Sequence, residues 1–182
     1  MPTIELAGRG TVAYQWSGSG REIIVLINGS VFNYYQWDMQ ALPILQRELD
    51  GRVRFLQYDY VGVGGSSAKT APFDMIDLAD ELRDLLDALS VEHVHLFGIS
   101  KGSMVGQAFL ISHRERALSF CGLGNPNVLS DRLEPTFSIF QERLAALEEI
   151  KELWPERINR ANYAEVVNRV YVPAIFGKEY KD

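Results

Sequence analysis

The sequence predicts an α/β fold, a doubly wound and mostly parallel sheet with helices on both faces. Three observations carry that reading. Short β-like runs alternate with helix-length amphipathic segments from residue 23 to residue 123. One run, Ile23-Ile24-Val25-Leu26-Ile27, is continuously apolar, as a strand buried on both faces requires. Gly98-Ile99-Ser100-Lys101-Gly102 stands between a strand-like run and a helix-like one, where small residues permit a sharp turn.

The elements follow in order. Residues 2–7 and 10–17 alternate like strands around a Gly8-Arg9-Gly10 turn, and Ser17-Gly18-Ser19-Gly20 is a loop leading to the central run. Residues 34–49 read as a helix burying Trp37, Leu42, Leu45 and Leu49, with Pro43 at a kink or a late start. Val53-Arg54-Phe55-Leu56-Gln57-Tyr58 is the next strand, followed by a Gly/Ser loop over 61–67. Residues 74–89 carry Leu78, Leu82, Leu85, Leu86 and Leu89 on one stripe and acids on the other. A strand over 93–98, a helix over 101–112 and an apolar strand over 117–123 complete the alternation. Right-handed crossovers make these later strands parallel, behind two opening strands that look antiparallel. After Gly124-Asn125-Pro126 the pattern changes: 136–153 and 162–171 read as helices with no further strand. The expected organisation is a core over 1–125 and a helical lid over 126–182.

Composition narrows the function classes. A chain of 182 residues, 47% of them hydrophobic, can bury a real core. A net charge of −6 without any Lys/Arg block argues against nucleic-acid binding. Cys121 is the only cysteine, so no intramolecular disulfide or thiolate metal cluster can form, and its apolar strand predicts a buried, inert thiol. The first residues lack a signal-peptide pattern and no apolar run reaches bilayer length. A cytoplasmic protein without metal or cofactor is the expectation.

Three segments together resemble the α/β-hydrolase superfamily. Leu26-Ile27-Asn28-Gly29-Ser30 ends the central strand where that family carries His-Gly before its oxyanion loop. Asp59-Tyr60-Val61-Gly62-Val63-Gly64-Gly65-Ser66 is similar to its D-x-R-G-x-G-x-S loop, with Val61 in place of Arg. The G-x-S-x-G run matches its nucleophile elbow and is followed by His113-Arg114-Glu115-Arg116-Ala117, similar to H-P-E-R-V. The resemblance covers residues 10 to 125 well and the lid loosely. The Asn-Gly-Ser form also resembles the branch of polyhydroxyalkanoate-related acyltransferases and depolymerases. It implies Ser100 as nucleophile, with the N–H groups of Lys101 and of Ser30, or alternatively Val31, receiving the oxyanion. Asn28, Gly29, Val31 and Phe32 would then line the substrate site. Tyr34, Tyr35 and Trp37 join Phe32 either in an acyl pocket or in the core.

The family order is Ser, then Asp or Glu, then His. Here His113 ends the elbow helix, where a cation suits the helix dipole. His93 and His95 open the elbow strand and read as structural, and Asp59 reads as a loop-organising carboxylate. Asn125 stands near a family acid position but is an amide, which leaves Asp131 and Glu134 as acid candidates. The expectation is a serine hydrolase for a small acyl ester, without its acid and base. Acyl transfer between thioester carriers and a non-catalytic binding domain are the alternatives. The uncharged strand 117–123 predicts association, with a second copy or with a complementary carboxy-terminal fragment.

Overall fold

A computed structural model describes residues 1–30, 32–39, 41–68 and 73–124. Val31, Asn125, Asp131 and Glu134, and the expected lid with its two helices, lie outside the described residues.

The chain runs β1 (Thr3–Leu6), β2 (Gly10–Gly18), β3 (Glu22–Ile27), α1 (Tyr35–Met39), α2 (Leu42–Glu48), β4 (Val53–Tyr58), α3 (Met75–Ala88), β5 (Val94–Ile99), α4 (Lys101–Ser112), a 3-10 turn (Arg114–Arg116) and β6 (Ala117–Leu123). The described strands form one sheet in the order β1-β2-β4-β3-β5-β6. β1 and β2 pair antiparallel, as do β2 and β4. β4, β3, β5 and β6 run parallel to one another. The C-terminal ends of β3, β4 and β5 therefore lie on one edge, which is where an open parallel sheet binds ligands.

Two apolar layers sandwich that sheet. Val25 and Ile27 of β3 pack with Leu78, Leu82, Leu85 and Leu86 of α3 and with Val105 and Phe109 of α4. Leu26 packs on the other face with Trp37, Leu42 and Phe55, against which Ile24, Phe97 and Ile99 also rest. Successive residues of a strand face opposite ways, so the unbroken apolar run serves both layers. α3 opens on a reciprocal cap: the Asp74 side chain accepts the N–H groups of Ile76 and Asp77, and the Asp77 carboxylate accepts that of Asp74. No helix among the described residues is long and apolar enough to cross a membrane.

Two expectations need correction. Residues 34–49 form two helices rather than one, because Pro43 falls in the first turn of α2. A continuous helix would need an N–H at Pro43 and would drive its ring into the carbonyl four residues back. Cys121 is exposed rather than buried. Among the described residues β6 pairs only with β5, and Ser119, Cys121 and Leu123, which share one face, are all exposed.

Candidate active site

One residue, Ser100, makes the turn between β5 and α4. Its backbone sits at φ 53°, ψ −119°. A positive φ costs a residue with a Cβ roughly 1–3 kcal/mol, so surrounding contacts must hold it. Its N–H donates to the Leu123 carbonyl at 2.8 Å, and its carbonyl accepts the N–H of Ser103 at 2.9 Å. The Ser103 hydroxyl stands 2.9 Å from the carbonyls of both Gly98 and Leu123, joining the ends of β5 and β6.

The flanking glycines are demanded by backbone approach. A Cβ on Gly98 would lie 2.3 Å from the Gly102 carbonyl oxygen, and one on Gly102 would lie 2.1 Å from that of Ile27. Both distances are far inside van der Waals contact, so only hydrogen fits. The second contact also sets the first turn of α4 directly against the end of β3.

That strand end is locked from all sides. Asn28 is fully buried. Its side-chain amide donates to the Tyr58 carbonyl at 2.7 Å, and its side-chain oxygen accepts the Trp37 indole N–H at 2.8 Å. Its backbone carbonyl accepts the Tyr60 hydroxyl at 2.7 Å, while the next N–H, of Gly29, donates to Gln36 Oε1 at 2.9 Å. The Asn28–Gly29 peptide is thus clamped at both polar ends. The side-chain amide of Asn28, its carbonyl and the Gly29 N–H are therefore all taken up by partners within the fold. Ser30 follows, half-buried, and Phe32 is 7% exposed.

Tyr60 touches both sides of this arrangement. Its hydroxyl holds Asn28, and the Lys101 ammonium lies 4.1 Å from its ring centroid, a cation–π contact. Burial and the nearby Glu81 raise the Tyr60 hydroxyl well above its ordinary range, so it stays protonated and remains a donor.

Asp59 organises the neighbouring loops. It is fully buried, and its two oxygens accept the N–H groups of Tyr34 at 2.7 Å and Gly65 at 2.9 Å. Burial pushes its carboxyl up to about 6, against the opposing pull of those two hydrogen bonds. Gly64, at φ 53°, passes so close that a Cβ there would lie 2.1 Å from Asp59 Oδ2. The role expected for Asp59 matches this geometry.

The histidines are spread elsewhere. His113 caps the C-terminus of α4, its Nε2 2.7 Å from Asp80 Oδ1 and its ring edge-on to Phe109. Twelve helical residues separate it from Ser100, about 18 Å along the axis. His93 precedes β5, and His95 lies near the start of that strand, on the edge opposite Ser100. Sequence reasoning missed Gln36, Tyr60 and Glu81. Glu81 falls on the leucine stripe of α3, between Leu78 and Leu85, and its carboxylate accepts the Val61 N–H at 2.9 Å; the sequence does not by itself say which backbone group such a side chain serves.

A family model described as "alpha/beta hydrolase fold" matches residues 22–162. The chain is similar to a putative carbamate hydrolase RutD of Caulobacter segnis, 27% identical over 103 residues, covering 56% of this chain and 37% of that protein. It is also similar to a homoserine O-succinyltransferase of Xanthomonas campestris pv. campestris, 42% identical over 93 residues, covering 50% of this chain and 24% of that one. Such matches span well under half the length of these relatives. Of solved structures, a hydrolase from Pseudomonas aeruginosa PA01 aligns over 99% of this chain and 67% of its own, with TM-score 0.67 and 23% identity. The enol-lactonase from Burkholderia xenovorans LB400 aligns over 100% and 68%, with TM-score 0.65 and 21% identity. These structures share the fold.

Proposed function

Because the chain belongs to the alpha/beta hydrolase fold family, we propose that it carries the nucleophile and oxyanion hole of an acyl hydrolase. The observation that carries this reading is the Ser100 turn, a serine held at positive φ with α4 starting against the end of β3. In this reading the Ser100 hydroxyl attacks an ester carbonyl. The oxyanion falls to the N–H of Lys101, at the start of α4, and to that of Ser30, at the clamped end of β3. The first N–H groups of a helix have no partner within the helix and sit at the positive end of its dipole. Removing one donor from such a hole costs about 3–4 kcal/mol of transition-state stabilisation.

Asn28 and Gly29 act here by fixing Ser30, Phe32 borders the acyl group, and Val31 stays an alternative donor. The Ser100 proton must pass to a base as the new C–O bond forms. His93, His95 and His113 lie at the far ends of β5 and α4 and are not assigned that role. An exposed, free Cys121 fits a reducing compartment, and the reading places the protein in the cytoplasm.

The substrate class is a small acyl ester. A second reading is acyl transfer between thioester carriers; the similarity to an O-succinyltransferase supports acyl transfer as a class, that relative's named acceptor being an oxygen. It uses the same serine with a different acceptor. The test is covalent labelling by a fluorophosphonate, comparing the native chain with Ser100→Ala. Label on Ser100 is expected, and p-nitrophenyl ester turnover against thioester transfer then separates the two chemistries. A folded chain that takes no label at Ser100 overturns both in favour of a binding domain.

A further inference from the structure

Three side chains outside the elbow stand in the order that nucleophilic catalysis requires. Ser119 Oγ lies 2.8 Å from His95 Nδ1, and His95 Nε2 lies 3.3 Å from Glu22 Oε2. They come from three neighbouring strands, β6, β5 and β3, and Ser119 stands opposite His95 in the register of β5 with β6. His95 shares the sheet face of Phe97 and Ile99, which pack on the α1–α2 side. It lies about 16 Å back along β5 from Ser100. Ser119 is exposed, and the side chains of His95 and Glu22 are 31% and 59% exposed.

We propose that Ser119, His95 and Glu22 form a second acyl-acceptor site, one that takes an acyl group from a small activated ester or thioester. The hydrogen-bond partners select the tautomer. Glu22 has only acceptors, so the proton sits on His95 Nε2 and is donated to the carboxylate. Nδ1 is left with its lone pair facing the Ser119 hydroxyl, the arrangement of a nucleophile, its base and an orienting acid. The hydroxyl oxygen attacks the donor carbonyl as its proton moves to Nδ1. The bond to the leaving alkoxide or thiolate breaks, and the imidazolium returns the proton to it. Donor and Ser119–OH thus become Ser119 O-acyl ester and free alcohol or thiol. Ser119 lies within a strand rather than at a helix N-terminus, so the acyl group is expected to stay.

The experiment uses the full chain in a Cys121→Ala background, since Cys121 shares that strand face and would take acyl groups itself. Protein is incubated with p-nitrophenyl acetate and, separately, with a small acetyl thioester. Cleavage after Lys101, Arg116 and Arg132 places Ser100 and Ser119 in different peptides for mass spectrometry. Acetyl on Ser119 is expected at equal rate with and without Ser100→Ala. His95→Gln keeps the hydrogen-bonding shape but cannot take a proton, and should slow the modification at least about tenfold. Glu22→Gln should slow it by a smaller factor. An unmodified Ser119, an unchanged rate in His95→Gln, or acetyl on His95 itself overturns the proposal. Label at Ser100 reports on the elbow alone, so the two readings fail separately.

Discussion

Asp59 should make the protein more stable as the pH falls through 6, the reverse of an ordinary paired carboxylate. Its carboxyl rises from 3.8 to about 6 in the fold because burial penalises the charged form more than two N–H donors compensate. The folded chain therefore holds this proton more tightly than the unfolded chain does. Above about pH 6 the full cost of the buried charge is present, and it disappears on descent towards about pH 4. A displacement of roughly two pH units corresponds to about 3 kcal/mol. Asp59→Asn removes the charge but keeps one carbonyl acceptor for the N–H groups of Tyr34 and Gly65, so one donor goes unmet at about 1–3 kcal/mol. At neutral pH the two changes nearly cancel. The informative quantity is the stability of the native chain minus that of the variant, in which the other carboxylates drop out. Urea unfolding followed by tryptophan fluorescence, from about pH 8 to about pH 4, should show that difference growing in favour of the native chain by about 3 kcal/mol. A flat difference, or one moving the other way, refutes the argument.

Other substitutions test the oxyanion side. Tyr60→Phe leaves the Asn28 carbonyl without its hydroxyl donor, and should lower stability by about 1–2 kcal/mol and slow fluorophosphonate labelling of Ser100 about tenfold. Unchanged labelling would show that the clamp does not set the hole. His113→Ala should cost about 1 kcal/mol of stability through the lost Asp80 contact and leave the labelling rate alone. Turnover abolished by that change would identify His113 as the base. Sedimentation velocity over a range of concentrations should show association through β6, whose sequence carries no charge and no proline. A clean monomer with a cooperative melt at every concentration would rule that out.

Much of the core was legible because local pattern and tertiary role agree there. The apolar run 23–27 had to be a central strand, and the leucine stripe of 74–89 had to face the sheet. The helix after the elbow and the strand 117–123 carry the bounds expected of them. The elbow could be recognised because its glycines answer a backbone constraint written within five residues. The partners of Asn28 could not be read this way. They come from Trp37 on a neighbouring helix and from Tyr58 and Tyr60, some thirty residues on. The exposure of Cys121 was hidden for a similar reason. An apolar strand reads alike whether one of its faces or both are covered, and only the elements packed against it distinguish the two.

The approach of α4 to β3 also bears on how the protein can move. The Gly102 backbone rests against the carbonyls of Ile27 and Asn28 with no side chain between them. Compliance in a protein usually resides in side-chain layers, where rotamers can shift and gaps can redistribute. At this seam there is no such cushion. Breathing of the outer faces of α3 and α4 should therefore carry the Ser100 turn and the Asn28–Gly29 peptide along together, leaving their separation constant. On the acyl-hydrolase reading proposed above, adaptation to different acyl groups would then fall to side chains away from that seam, with Phe32 the first to test.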